Sequence, residues 1–178
     1  MSVIDEFKSA LRKDPTFKTF REIAQKVFDT INTEKIRLDV RSLHDQRMSR
    51  GLSASPDRFN PHKLVDVNSQ EASVRGRLVS MQMELLVQRS TLRSAIDAIT
   101  EHIRAEYYED FLKDRRNVAD RDAMLAVVLK RPREALMDID CNIELVNAVL
   151  NDVDRTSFRL SEILKSLELI TEKTMRGI

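Results

Sequence analysis

The chain has 178 residues, with 30 Lys+Arg against 29 Asp+Glu, and a formal net charge of +1 excludes a strongly polybasic or polyacidic protein. A third of the residues are charged, aromatics make up 5%, Trp is absent, and there are three glycines and four prolines, the profile of an extended helical or coiled-coil protein. Cys141 stands alone, so no internal disulfide forms and a reducing compartment is expected. The amino terminus has no apolar signal core and no run approaches a membrane span, so a cytoplasmic protein without a membrane partner is expected.

Ser2 with Asp5 resembles a capping box for a short first helix carrying Val3, Ile4, Phe7 and Leu11 on one side. Asp14-Pro15 then supplies an N-cap followed by proline at the first helical position. Phe17, Phe20, Ala24, Val27 and Ile31 continue at heptad spacing. Ile36, Leu38 and Val40 alternate as a strand would, but no partner strand occurs elsewhere and Ile36, Val40 and Leu43 also fit a helix, which is the reading adopted. Residues 1–48 form an N-terminal helical region. Residues 49–67 hold two prolines and a glycine and read as a linker, with Leu52, Phe59 and Leu64 favouring docking over free coil.

Residues 68–178 read as a long-helix oligomerisation domain. Asn68 with Glu71 forms a second capping box, opening a helix whose apolar face is Leu78, Met81, Leu85, Leu92, Ile96, Ile99 and Ile103. Gly76 in its first turns costs about 1 kcal/mol relative to alanine. The helix should fade after Phe111, and Asn117 or Asp120 should cap a shorter one carrying Met124, Leu125, Val128 and Leu129. Arg131-Pro132 should break that helix and start the last. From there Leu136, Ile139, Ile143, Val146, Leu150, Val153, Ser157, Leu160, Leu164 and Leu167 alternate at spacings of three and four. At ~1.5 Å per residue this seam spans about 55–60 Å and asks for another helix along its length, expected from further copies of the chain. The fold class is therefore all-α: long helices in a coiled-coil-like, homo-oligomeric bundle, with Leu136, Ile139, Ile143, Val146, Leu150, Val153, Leu160, Leu164 and Leu167 as its interface.

No catalytic or cofactor signature is present, so a non-enzymatic protein is expected. Glycine only at Gly51, Gly76 and Gly177 leaves no phosphate-cradling loop. His44, His62 and His102 are dispersed without metal-ligand spacing, Asp138, Asp140 and Glu144 read as a solvated acidic face, and Met81, Met83, Met124 and Met137 as core or interface filling. The basic residues carry more. Arg75, Arg89, Arg93 and Arg104 project within about 60° of one another beside the apolar stripe, a line of guanidiniums about 40–45 Å long. Lys113, Arg115 and Arg116 extend it, next to Tyr107, Tyr108 and Phe111. Such a line either pairs with Glu84, Asp97, Glu101 or carboxylates of a neighbouring helix, or binds phosphates while the tyrosines stack bases.

Arg104-Ala105-Glu106-Tyr107-Tyr108 resembles the Arg-x-acidic-Tyr-Tyr segment closing the long helix of the UvsY-type recombination mediators of tailed phages. A polar loop, Val128-Leu129 and a long helix carrying Arg155, Phe158, Leu160 and Ile163 follow in the same order, so the resemblance spans about residues 85–165. It implies an α-helical, ring-forming homo-oligomer that binds single-stranded DNA and helps load a RecA-type recombinase onto strands coated by single-strand-binding protein, in the host cytoplasm if phage-encoded. Arg104 is then the DNA-contacting position, supported by Arg93 and Lys113. His102 stands at the family's second basic position and is a weaker phosphate ligand than arginine. The competing expectation is a helical assembly, adaptor or virion structural protein with no nucleic-acid role.

Overall fold

The computed structural model of the chain describes residues 3–49, 61–113 and 118–176. Among these the chain is helical throughout, with no strand: α1 (Val3–Lys13), α2 (Pro15–Thr30), α3 (Thr33–Ser49), α4 (Pro61–Glu106), a π-helical turn (Tyr108–Leu112) and α5 (Val118–Arg176). Asp14 caps α2 as expected, its Oδ1 accepting from the backbone N–H groups of Thr16 (2.7 Å) and Phe17 (3.1 Å), with Pro15 at the first helical position. The ambiguous stretch around Ile36 is helical, and Val40 and Leu43 are buried from it.

Two helices are longer than their sequence signals predict. α4 starts at Pro61, so residues 61–67 belong to a helix and not to a linker, and Asn68 and Glu71 lie inside it and cap nothing. The cause is a seven-residue row: Leu64, Glu71, Leu78, Leu85, Leu92 and Ile99 are all buried, and burial of Leu64 extends the helix back to its first turn. Leu52 and Phe59 lie outside the described residues.

α5 likewise runs through Pro132 without the break expected there. A proline in a helix interior removes one backbone hydrogen bond and costs about 3 kcal/mol. Here Pro132 is buried within a second seven-residue row, Leu125, Pro132, Ile139, Val146, Val153 and Leu160, so burial on both sides of the ring keeps the helix going.

The contacts divide the chain into two units, each made of two separate segments of the sequence. The first comprises Met1–Thr33 and Leu85–Cys141. Its core is Phe7, Leu11, Phe17, Phe20, Ala24 and Val27 from the amino-terminal helices, against Leu85, Leu92, Ile96, Ile99 and Ile103 of α4 and Met124, Leu125, Leu129 and Ile139 of α5. The second comprises Glu34–Glu84 and Asn142–Ile178, with a core of Val40, Leu43, Leu64, Val74, Leu78, Ile143, Val146, Val149, Leu150, Val153 and Leu160. Helices α4 and α5 each contribute to both.

The α5 seam is therefore covered over most of its length by the chain's own helices. Six of the nine expected interface positions, Ile139, Ile143, Val146, Leu150, Val153 and Leu160, are buried within one copy, while Leu136, Leu164 and Leu167 are half-buried. Beyond Leu160 no described residue of α5 is buried, and Leu169, Ile170 and Met175 are exposed. Met124 sits in the core, whereas Met83 and Met137 face solvent.

The second unit also contains a buried ion-pair network. Arg47 Nε donates to Glu71 Oε2 (2.7 Å), Nη1 to Asp152 Oδ2 (2.7 Å) and Nη2 to Thr156 Oγ1 (3.2 Å). The Arg47 and Glu71 side chains are only 6% and 4% exposed, so Glu71, the one charged member of the α4 row, is neutralised where it is buried.

Candidate nucleic-acid interface

The expected site is an arginine line on α4 continued by the residues after it. The structure gives most of that line acidic partners. Arg75 Nε donates to Asp154 Oδ1 (2.7 Å) in the second unit. In the first unit Arg89 Nε lies against Asp140 Oδ1 as an ion pair too poorly aligned for a hydrogen bond, and Arg104 Nη2 reaches Asp122 Oδ1 at 3.3 Å. Lys113 pairs with Glu109 one turn back (2.6 Å). The partners of the three arginines are the carboxylates of α5, a neighbouring helix, and not Glu84, Asp97 or Glu101 of α4 itself. Arg93 is exposed and makes no ion pair or hydrogen bond among the described residues. Arg115 and Arg116 lie outside the described residues, and the Tyr108 side chain is not described.

These pairs are weakly held. The Arg104 and Asp122 side chains are 59% and 55% exposed, and those of Arg75 and Asp154 about as much. Exposed pairs of this kind contribute at most about 1 kcal/mol, and salt screens them.

His102 and Tyr107 do not join the line; they bind the α2 cap. Asp14 Oδ2 lies 2.8 Å from His102 Nε2 and accepts from Tyr107 Oη at 2.8 Å, while Oδ1 serves the two backbone N–H groups. Burial by itself raises the Asp14 pKa, but the hydrogen bonds from His102, Tyr107, Phe17 N–H and Thr16 N–H outweigh it and hold the carboxyl down at about 2. The phenol of Tyr107 moves the other way, to about 12, through burial, its hydrogen bond to Asp14 and the charges of Asp14 and Glu106. The Tyr107 ring also packs edge-on against Phe7 (6.1 Å between centroids) and tilted against Phe111 (6.2 Å). Tyr107 and His102 thus have partners within the fold, at the α2 cap and among the Phe7 and Phe111 rings.

The structure brings together a second set of cations that the sequence pattern does not single out. Lys8 and Arg12 of α1, Arg21 of α2 and Arg131 of α5 line a cavity of about 310 Å³ in the first unit, whose walls hold no carboxylate. Lys8 and Arg12 are four residues apart on α1, a spacing that shares a helix face, which was the available signal. Their convergence with Arg131 depends on tertiary packing and leaves no trace in spacing.

Among the described residues no group of His, Cys, Asp and Glu could hold a metal ion, and no helix is long and apolar enough to cross a membrane. No family model, curated protein or solved structure matches the chain.

Proposed function

We propose that the chain is a non-enzymatic recombination mediator: it self-associates, binds single-stranded DNA through exposed arginines and helps load a RecA-type recombinase onto coated strands. The observation that carries this reading is the state of the α4 arginines. Arg93 is exposed without a partner, and Arg104, at the position of the resemblance to the UvsY-type family, is held only by an exposed, long contact to Asp122. A phosphate can displace such a carboxylate at little cost, and the guanidinium then binds it bidentately. Copies brought together by α5 would multiply a small patch per chain into a continuous one.

Anisotropy of a labelled single-stranded oligonucleotide at low and high salt tests it. Binding should be clear at low salt and fall with salt in proportion to the phosphates neutralised. Arg93→Ala with Arg104→Ala should weaken it by about tenfold. Asp122→Asn, which removes the competing carboxylate, should tighten it. Absence of binding at low salt overturns the reading.

The second reading, a helical assembly or adaptor protein, is favoured by the apolar end of α5, where Leu169, Ile170 and Met175 are 59%, 61% and 85% exposed. Self-association without any DNA binding would select it.

A further inference from the structure

The carboxylate-free cavity of the first unit serves neither the α4 arginines nor the cap at Asp14. Its lining brings Lys8, Arg12, Arg21 and Arg131 together with the apolar Phe28, Val127 and Val128. Lys8, Arg12 and Arg21 make no ion pair or hydrogen bond among the described residues, and Arg12 and Arg21 are exposed. Concentrating like charge around one hollow is unfavourable without a counter-charge, whereas Arg75, Arg89 and Arg104 of α4 each have one. The adjoining hollow shares Phe28 and Arg131 but contains Glu134 and Asp138, so the positive region is bounded on that side.

The lining selects among anionic ligands. Single-stranded nucleic acid is held by charge together with open aromatic faces. Here the guanidinium of Arg131 covers the Phe28 ring at 4.9 Å, and Phe17 and Phe20 are buried. Of the apolar lining Val127 is the most open, 43% exposed, while Phe28 is half-buried. Arg131, over the ring, still has N–H groups to offer a bidentate partner such as a carboxylate. A lining that is basic and apolar at once, without a carboxylate, suits a segment that supplies acids and a bulky apolar side chain together.

We propose that this cavity is a docking site for an acidic peptide segment of a partner protein, with carboxylates on Lys8, Arg12, Arg21 and Arg131 and an apolar side chain beside Val127. The site is distinct from the α4 arginines and does not depend on the DNA-binding reading.

The test is fluorescence polarisation with the full chain and a panel of labelled acidic decapeptides carrying one Phe or Leu at successive positions. Matched peptides with Ser in place of the apolar residue, and a labelled oligothymidylate, serve as further probes. At least one acidic-apolar peptide should bind saturably and weaken about tenfold or more with Ser in place of its apolar residue. Arg12→Glu with Arg21→Glu, both at exposed positions, should abolish its binding, and Val127→Glu should weaken it, with the thermal unfolding of the variants unchanged. Any oligothymidylate binding should survive these substitutions, because the proposed DNA contacts, Arg93 and Arg104, lie outside the cavity. The proposal is overturned if no panel member binds, if the Ser versions bind equally well, or if the cavity substitutions remove oligothymidylate binding and leave peptide binding intact.

Discussion

Asp14 shows how much one side chain can hold together. Its carboxylate caps α2 and accepts from two groups 88 and 93 residues away, His102 and Tyr107. A folded-state pKa of about 2 against an ordinary 3.8 means that ionised Asp14 favours the fold above pH ~4. That contribution, about 2 kcal/mol, fades as pH falls from ~4 towards 2. Tyr107, raised to about 12, favours the fold while protonated, so its contribution is present below pH ~10 and fades as pH rises towards 12. Denaturant unfolding followed by circular dichroism across pH 2–5 should show this acid loss, superposed on that of other carboxylates. Asp14→Asn should retain the cap and remove the Asp14 share of the slope, and an unchanged slope would contradict the assignment. The Arg47 network gives a second residue-scale expectation. Glu71→Ala leaves a buried guanidinium short of a partner and should cost about 3–5 kcal/mol, whereas Arg47→Met combined with Glu71→Leu should recover most of it, because Asp152 is 56% exposed and tolerates losing its cation. A double variant no more stable than the single would show that the network has no apolar substitute.

At the scale of elements, the long helices were legible because their rows repeat, and their ends were not. Gly76 illustrates the first point. It lies inside α4, and a Cβ added there meets no atom within 4 Å, so Gly76→Ala should gain only the helix-propensity difference, a stabilisation of about 1 kcal/mol measurable as a higher denaturant midpoint. No gain would mean that this turn is not a regular helix. The misread ends have separate causes. Glu71 resembles a capping residue three positions after Asn68, and only its neutralisation by Arg47, 24 residues earlier, reveals it as a core position. Pro132 carries the local signal for a break, yet it shares a row with Leu125 and Ile139, and tertiary burial overrides the local preference. For the candidate site, the spacing of Arg75, Arg89, Arg93 and Arg104 was visible, but Asp122, Asp140 and Asp154 as partners were not. Ion pairs between helices depend on register across the packed faces, which spacing along one helix does not encode.

At the scale of the whole molecule, net charge is close to zero and three of the four arginines of the α4 line, Arg75, Arg89 and Arg104, have an acid beside them, so a single copy presents little uncompensated positive charge along that line. Affinity for a polyanion must then come from number. The α5 row supplies a means: after Leu160 it continues to Leu167, half-buried, on a stretch that the chain's own helices cover only in part. A second copy packing there would bury Leu164 and Leu167, each contributing about 1–2 kcal/mol for the area removed from water. Light scattering should therefore give a mass that is a multiple of 20.6 kDa, and Leu164→Asp with Leu167→Asp should return it to 20.6 kDa with helicity kept. A wild-type chain that scatters as a monomer at micromolar concentration would exclude this association. The same variant tests whether oligonucleotide binding needs assembly. If oligonucleotide binding is multivalent, making the chain monomeric should weaken it about a hundredfold while leaving Arg93 and Arg104 in place, and the salt dependence should become shallower as fewer phosphates are engaged. If the monomeric variant binds as well as the wild type, each chain carries its own complete site and assembly serves another purpose.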